Sequence, residues 1–215
     1  MKKILYVHGL GGGANGRVSG LIADNIGDGY IVDAPEIPLD PKEALAFVRG
    51  VIEDYDMAVG SSLGAFYLML SEQTVKKILI NPAVKAGEYV EKYIGKGPQA
   101  FHSKRENGEK EYIIDDEFIN SLNEIHRKPV AEERLMIRCF VSPEDELFGE
   151  QNAIECRKYF NLGDSLTDIS GPHSIEEDMV RNVIVPAIKE FMDYEIEVPP
   201  WIAYAPYIGP DFEED

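Results

Sequence analysis

The chain has 215 residues, of which 44% are hydrophobic and 28% are charged, a composition that supports one sizeable core and is unlike a collagen, a coiled coil or a disordered protein. Its 39 acidic residues outnumber 21 basic ones and give a formal charge of −18, which repels the phosphates of nucleic acids and of anionic membranes. We therefore expect one main domain that binds neither nucleic acid nor membrane.

The first residues and the cysteines bear on the cellular compartment. Met-Lys-Lys is followed by only Ile-Leu-Tyr-Val before a glycine-rich turn, which is too short for the apolar region of a signal peptide. The chain contains no run of about 18 apolar residues, so the sequence predicts no membrane-spanning helix. Of the two cysteines, Cys139 lies in an apolar run, where a buried free thiol is expected. These features predict a cytoplasmic protein.

Short β-rich runs alternate with longer helical patterns along most of the chain. The predicted strands cover residues 3–7, 30–33, 57–60, 77–80, 135–141 and 165–169. The predicted helices lie near residues 17–26, 41–54, 63–72, 151–159 and 176–194. Because helical crossovers join parallel strands and are right-handed, this alternation predicts an α/β fold. We expect a mostly parallel sheet of about six strands with helices on both faces.

The segment 85–130 departs from this alternation. It holds Gly-Lys-Gly-Pro at residues 95–98, a polar patch at 103–111 and one predicted helix at 115–126. We expect an insertion over the edge of the sheet. Such an excursion serves either as a lid or substrate-selecting wall, or as decoration without a role in the site.

The C-terminal segment 195–215 is predicted to lie outside the main domain of residues 1–194. Its prolines cannot continue the preceding helix, so we expect an extended tail. Trp201, Tyr204 and Tyr207 favour docking on the protein's own domain or on a neighbouring copy, which makes the tail a candidate surface for self-association. The acidic residues 211–215 favour disorder at the very end.

The segment Gly-Ser-Ser-Leu-Gly at residues 60–64 fits the Gly-x-Ser-x-Gly pattern of a nucleophile elbow. The pattern alone is weak, and a plain glycine-bounded turn is the alternative. Its position between a predicted strand and a predicted helix favours the elbow, because a strand that reverses sharply into a helix needs small neighbours. Ser62, at the centre of the pattern, is the predicted nucleophile.

A serine nucleophile needs a neutral imidazole and a carboxylate that orients it. His173 follows the last predicted strand, which is the place that the chain order serine, acid, histidine requires. The loop after the preceding strand holds three acids, of which Asp145 is preferred because its side chain is short and its place is central, while Glu144 and Glu146 remain alternatives. His102, like His126, lies in the excursion and is expected to be exposed to solvent.

The glycine-rich segment 8–13 follows the first predicted strand, where backbone amides can face a developing negative charge. We predict an oxyanion hole formed by the N–H groups of Leu10 and Leu63, with His8 bracing the loop. A dinucleotide-binding turn is the competing interpretation. Counted from Gly9 and Gly11, the third glycine of Gly-x-Gly-x-x-Gly would fall at position 14, where Ala14 stands, and this frame is therefore disfavoured.

Four segments together resemble the bacterial YqiA-type esterases, a small α/β-hydrolase family. They are Tyr-Val-His-Gly at residues 6–9, the motif at 60–64, Asn-Pro-Ala-Val at 81–84 and Asp-Glu-Leu at 145–147. The resemblance spans residues 4–191. It implies an esterase that cleaves short acyl esters with no cofactor and no metal, a sheet lacking the first two strands of larger hydrolases, and a catalytic triad of Ser62, Asp145 and His173.

The chain departs from the family pattern at a few places. Ala65 replaces a second glycine after the elbow, Gly171-Pro172 precedes the histidine, and the tail after Met192 has no counterpart. The tail or the excursion also supports an alternative function. In that hypothesis the protein keeps the hydrolase fold but works as an interaction module that binds a partner.

Overall fold

The computed structural model describes residues 1–72, 74–129, 131–160 and 165–196. The strands are β1 (Lys2–Val7), β2 (Tyr30–Asp33), β3 (Met57–Ser61), β4 (Lys76–Ile80), β5 (Gly97–Ala100), β6 (Glu111–Ile114), β7 (Ile137–Val141) and β8 (Leu166–Asp168). The α-helices are α1 (Arg17–Ile26), α2 (Pro41–Val51), α3 (Leu63–Leu70), α4 (Ala86–Tyr89), α5 (Asp116–Ile125), α6 (Ala131–Leu135), α7 (Gly149–Phe160), α8 (Glu177–Met179) and α9 (Val185–Asp193).

Six of these strands form one parallel sheet in the order β2-β1-β3-β4-β7-β8. The predicted number of strands and their parallel direction are therefore confirmed. The first four residues of β3 are all buried, as is typical of a strand covered by helices on both faces. The predicted strand at 135–141 begins later, at Ile137, because Leu135 ends α6.

Helices cover both faces of the sheet, as the sequence predicts. One apolar cluster packs α2, α3, α5 and α7 against the sheet and includes Val48, Phe66 and Phe118. A second cluster on the opposite face packs α1 and α9 and includes Ile22 and Ile188. Every residue of α3 is buried, so the helix that follows the Gly-x-Ser-x-Gly motif is fixed within the protein interior.

The last predicted helix, at 176–194, is one helical run from Glu177 to Asp193 that contains a change of helix type. A wide helical turn at Val180–Ile184 separates α8 from α9, and Pro186 occupies the first turn of α9. Proline has no N–H to continue the hydrogen-bond ladder, and a wider turn accommodates its ring. Residues 197–215 lie outside the described residues, so the boundary after residue 194 and the extended tail remain predictions.

The excursion 85–130 contains more regular structure than the sequence indicates. The predicted helix is confirmed as α5, whose N-cap Asp115 accepts a hydrogen bond from the Phe118 N–H at 2.9 Å. The antiparallel hairpin of β5 and β6 was not predicted. Its second strand alternates between exposed and buried residues over only four positions, which is too short for a clear strand signal.

Two further sequence-based expectations concern cysteines and membrane spans. Cys139 is buried as a free thiol, and so is Cys156; burial raises the pKa of the Cys139 thiol well above its ordinary value. Among the residues that the structure describes, none of the helices combines the length and the apolar character that crossing a bilayer requires.

Candidate active site

The loops that follow β1, β3, β7 and β8 all leave the carboxyl edge of the parallel sheet. This edge is where ligands bind in open α/β sheets. The loop after β3 carries Ser62, the loop after β7 carries Asp145, and the loop after β8 carries His173. The four loops therefore bring the predicted site residues to the same edge.

Ser62 occupies a strained turn between β3 and α3. Its φ of 52° and ψ of −119° lie in a region that non-glycine residues avoid at a cost of about 1–3 kcal/mol. The turn is held by the Ser62 N–H, which donates to the Ile80 carbonyl at 3.0 Å, and by the Ala83 N–H, which donates to the Ser62 carbonyl at 3.2 Å. This backbone geometry is that of a nucleophile elbow.

The glycines of the motif are sterically required. A Cβ on Gly64 would lie 2.1 Å from the Val7 carbonyl oxygen, and one on Gly60 would lie 2.9 Å from the Ala65 nitrogen. On the other side of the turn, a Cβ on Gly9 would lie 3.2 Å from Ser62 Cβ and 3.7 Å from Ser62 Oγ. The glycine-rich loop after β1 therefore runs directly beside the serine side chain.

Asp145 and His173 are in direct contact. Asp145 Oδ2 lies 2.6 Å from His173 Nδ1, while Asp145 Oδ1 accepts the N–H groups of Leu147 at 2.8 Å and Phe148 at 2.9 Å. Its side chain is only 1% exposed. With Nδ1–H donated to the carboxylate, Nε2 carries the free lone pair of the neutral ring.

The two neighbouring glutamates contact backbone rather than the ring. Glu146 Oε2 accepts the His173 N–H at 2.7 Å, and Glu144 Oε2 accepts the Gly171 N–H at 3.1 Å. The ring of Phe148 meets the imidazole edge-on, with centroids 4.6 Å apart. Of the three adjacent acids, only Asp145 touches the imidazole, so the structure separates candidates that the sequence leaves open.

The structure does not join Ser62 to His173. Among the described residues, neither Ser62 Oγ nor His173 Nε2 forms a hydrogen bond. Hydrogen bonds between a nucleophile and its base are often long in enzymes without substrate. The pairing of Ser62 with His173 therefore stays a prediction.

A segment that the resemblance singles out connects the serine turn to the acid loop. Asn81 follows β4 with a φ of 43°, and its Oδ1 accepts the Ser142 N–H at 2.8 Å. Two residues later, Ala83 donates to the Ser62 carbonyl. The Asn-Pro-Ala run thus holds the two loops in register, a role that the sequence alone does not reveal.

His8 braces the glycine-rich loop. Its Nδ1 lies 2.9 Å from the Gly9 carbonyl, and its Nε2 accepts the Ile37 N–H at 3.0 Å. Because Nε2 accepts, Nδ1 is the protonated nitrogen of a neutral ring. Burial lowers the pKa of His8, which favours the same neutral form. Both ring nitrogens of His8 therefore form hydrogen bonds to the backbone that hold the loop in place.

A small pocket adjoins the predicted oxyanion amides. Its solvent-accessible volume is about 20 Å³, and its lining residues include Leu10, Leu63, Leu39, Tyr67, Phe101 and Arg105. The Leu63 N–H is the first of α3 and thus has no partner within the helix. The pocket is mostly apolar and lies next to the loop that faces Ser62.

The excursion supplies one wall of this pocket. The His102 N–H donates to the Gly11 carbonyl at 2.7 Å, and Arg105 donates to the carbonyls of Gly12 at 3.2 Å and Ile37 at 3.0 Å. The Arg105 guanidinium also lies over the Phe101 ring, 4.9 Å from its centroid. These residues lie in a polar stretch without periodicity, so no sequence signal indicated their place.

The two histidines of the excursion differ from each other. His102 is exposed as expected, but the expectation that His126 is exposed was wrong. Its Nε2 lies 2.8 Å from the Tyr159 hydroxyl, and its ring stacks on Phe66 at 6.3 Å. The end of α5 packs against α3 and α7, and the resulting burial lowers the pKa of His126.

Within the described ranges, no three His, Cys, Asp or Glu side chains converge to hold a metal ion.

Solved structures share this architecture. Alpha/beta hydrolase domain-containing protein 10 from mouse is 17% identical, with 89% of each chain covered and a TM-score of 0.61. A monoacylglycerol lipase from Paleococcus ferrophilus is 16% identical, with 88% of this chain and 93% of that chain covered and a TM-score of 0.58. The esterase domain of a Rhodothermus marinus protein is 15% identical, with 89% and 88% covered and a TM-score of 0.54. At these identities the likeness establishes the α/β-hydrolase fold.

Sequence comparison is more specific about the family. No similar sequence was found among curated proteins. The sequence model of the uncharacterised protein family UPF0227, which is the YqiA family, matches residues 3–177. This range includes the glycine-rich loop, the Gly-x-Ser-x-Gly motif, Asp145 and His173. The chain therefore belongs to the UPF0227 family and has the α/β-hydrolase fold.

Proposed function

We propose that the protein is a serine esterase that cleaves small acyl esters. The observation that carries the proposal is the 2.6 Å contact between Asp145 Oδ2 and His173 Nδ1, at the same sheet edge as the strained Ser62. An oriented imidazole with a free Nε2 and a serine on a sharp turn are the parts that acyl transfer through a covalent intermediate requires.

In the first half of the reaction, His173 Nε2 takes the proton of Ser62 Oγ while Oγ forms a bond to the ester carbonyl carbon. The carbonyl oxygen becomes an oxyanion, which accepts hydrogen bonds from the N–H groups of Leu10 and Leu63. Each such donor contributes about 3 kcal/mol to transition-state stabilisation. When the intermediate collapses, the bond to the alcohol breaks and the alcohol leaves with the proton from His173.

In the second half, His173 Nε2 accepts a proton from water as the water oxygen attacks the acyl carbon. The bond from the acyl carbon to Ser62 Oγ then breaks, Oγ regains the proton, and the free acid departs. Asp145 keeps the imidazole in one tautomer and stabilises its positive form in both halves. No other reactant than the ester and water is needed.

The pocket and the similar structures support the choice of substrate class. The pocket is small, with a solvent-accessible volume of about 20 Å³, which favours short acyl groups over long ones. Two of the similar structures are named a monoacylglycerol lipase and an esterase domain, and we extend ester cleavage to this chain. Thioesters would use the same residues.

Labelling with a fluorophosphonate tests the proposal directly, because such probes react with activated serines. The purified wild type is compared with Ser62→Ala and His173→Ala, and the adduct is mapped by mass spectrometry. Ser61→Ala is a matched control, since its hydroxyl faces the Tyr6 hydroxyl at 2.9 Å. We expect an adduct at Ser62 that both site variants lose and the control keeps. A folded wild type without an adduct would contradict the proposal.

A further inference from the structure

The loop of residues 170–176, which carries His173, is held on one side by the acid loop of residues 142–146. The acid loop accepts the N–H groups of Gly171 and His173, donates a serine hydroxyl to the Gly171 carbonyl and contacts the imidazole. Ser62 belongs to the loop after β3, and β4 separates β3 from β7 in the sheet. These contacts therefore fix His173 relative to the acid, but not relative to the serine.

Arg17 holds the other side of the histidine loop. Its Nη1 donates to the carbonyl of Ile175 at 2.7 Å, shortly after His173 in the chain. Among the described residues, every other side-chain hydrogen bond to residues 170–176 comes from the acid loop. Arg17 is the first residue of α1, so it ties the histidine loop to an element outside the acid half of the site.

The bond from Arg17 reaches a residue that is itself well fixed. Ile175 is 3% exposed, and its side chain belongs to the apolar cluster that also contains Tyr6 of β1 and Ile22 of α1. Arg17 is exposed, but its guanidinium is charged, and charged donors form stronger hydrogen bonds than neutral ones. A polar and an apolar contact thus hold this end of the loop.

The element that carries Arg17 belongs to the serine half of the site. The chain reaches α1 from β1 through the glycine-rich loop, and β1 pairs directly with β3. The Tyr6 hydroxyl on β1 lies 2.9 Å from Ser61 Oγ, in the residue before the nucleophile. Arg17 therefore connects the half that carries Ser62 to the loop that carries His173.

From these contacts we infer that Arg17 is a positioning residue, which holds the Ile175 carbonyl so that His173 Nε2 stays within reach of Ser62 Oγ. The inference rests on the proposed esterase function. Arg17 takes no proton and touches no reacting atom. A nucleophile and its base must approach to hydrogen-bond distance for proton transfer, and a misplacement of about 1 Å can cost about 100-fold in rate.

Two substitutions of Arg17 and one control test the inference. Arg17→Met keeps an unbranched apolar stem and removes the donors, whereas Arg17→Lys keeps a charged donor. Arg181→Met is the matched control. Arg181 is exposed, donates to Asn25 of α1 at 3.2 Å and pairs with Glu177 of α8. It therefore joins the same region of the surface without contacting the backbone of the histidine loop.

We expect Arg17→Met to lower kcat for p-nitrophenyl acetate about tenfold, less than the full cost of a misplaced base, because the acid loop still holds His173. Both half-reactions use His173, so KM should stay near its wild-type value. The rate of fluorophosphonate labelling at Ser62 should fall in parallel. The pH profile of kcat/KM should keep its midpoint, because Asp145 still contacts the imidazole. Arg17→Lys should regain part of the activity, and Arg181→Met should match the wild type.

Hydrogen exchange gives a readout that does not depend on activity. The amides of Gly171 and His173 should exchange faster in Arg17→Met than in the wild type, while the strands of the sheet keep their protection. Unchanged exchange of these two amides would overturn the inference. Faster exchange throughout the sheet would assign the effect to the stability of the whole fold and overturn it as well.

The kinetic outcomes distinguish failure of the inference from failure of the proposed function. An active, labelled wild type with an equally active Arg17→Met overturns the inference alone, and so does an equal loss in Arg181→Met or no regain in Arg17→Lys. A raised KM with unchanged kcat would place Arg17 against the substrate and also overturn it. A folded wild type that neither labels nor cleaves esters would contradict the esterase function and the inference with it.

Discussion

Glu146 Oε2 accepts the backbone N–H of His173 at 2.7 Å, so two successive acids hold the same histidine in different ways. Asp145 contacts the ring, and Glu146 fixes the backbone that carries it. Because Glu146 itself is exposed, its contribution is positional and adds little to the stability of the fold.

We expect Glu146→Ala to lower kcat/KM for a small ester about fivefold, the equivalent of one ordinary hydrogen bond. Glu146→Gln keeps an acceptor oxygen and should restore most of that activity. The free energy of unfolding should change by less than about 0.5 kcal/mol in both variants. Equal activity losses in the two variants would show that the charge, and not the hydrogen bond, is what matters.

We expect a much larger loss of activity when the contact between Asp145 and His173 is changed. Asp145→Asn replaces the acceptor of the Nδ1–H by an amide that can favour the wrong tautomer, and we expect kcat to fall about 10³–10⁴-fold. Ester turnover and the rate of fluorophosphonate labelling both measure this loss. Glu144→Gln is the control, because Glu144 touches the Gly171 backbone and not the ring. Comparable losses in both variants would remove the special role of Asp145.

The steric role of Gly64 predicts a large loss of stability. In Gly64→Ala the new Cβ would lie 2.1 Å from the backbone oxygen of Val7, and neither a strand carbonyl nor a fully buried helix can move away easily. We expect at least about 3 kcal/mol of destabilisation, measured by denaturant unfolding.

Gly20 provides the matched control for this substitution. It lies inside α1, and a Cβ placed there would meet nothing within 4 Å. Gly20→Ala should therefore stabilise the protein by about 0.5–1 kcal/mol, because alanine favours a helix interior over glycine. A Gly64→Ala variant as stable as the wild type would contradict the close packing of β1 against the turn at Ser62.

The elements with strong local signals were predicted well from the sequence. The six sheet strands, the helices between them and the loop positions of Ser62, Asp145 and His173 follow from alternating patterns and from one short motif. The choice between Asp145 and its two neighbours needed the structure, because three adjacent acids differ only in where their side chains point. The Asn81 link was also hidden, since it depends on contacts across more than 60 positions.

The pocket wall was harder to predict for a different reason. Arg105 is 7% exposed, yet it lies among polar residues that look like a solvated loop. Its burial depends on three partners from distant parts of the chain, Gly12, Glu36 and Ile37. Tyr67, by contrast, shares a helix face with Leu63 at a spacing of four residues, so helical periodicity could have placed it beside the oxyanion amide.

Two partly buried histidines, His8 and His126, predict how stability depends on pH. Burial lowers the pKa of His8 and of His126 in the folded protein, so both rings bind a proton more readily when the chain is unfolded. Stability from these groups is complete above the unfolded pKa of about 6.5. It is lost as the pH falls through the lower folded values, because the unfolded state then binds more protons than the folded one.

We therefore expect the free energy of unfolding to fall between pH 7 and pH 5, measured by urea titration at each pH. Protonation of His8 also removes the acceptor for the Ile37 N–H, so the glycine-rich loop beside Ser62 should loosen in the same range. His8→Gln should lower stability at pH 7 and flatten the pH dependence, and His126→Gln should flatten it separately. An unchanged slope in both variants would assign the pH dependence to other groups and leave the two histidines without a role in it.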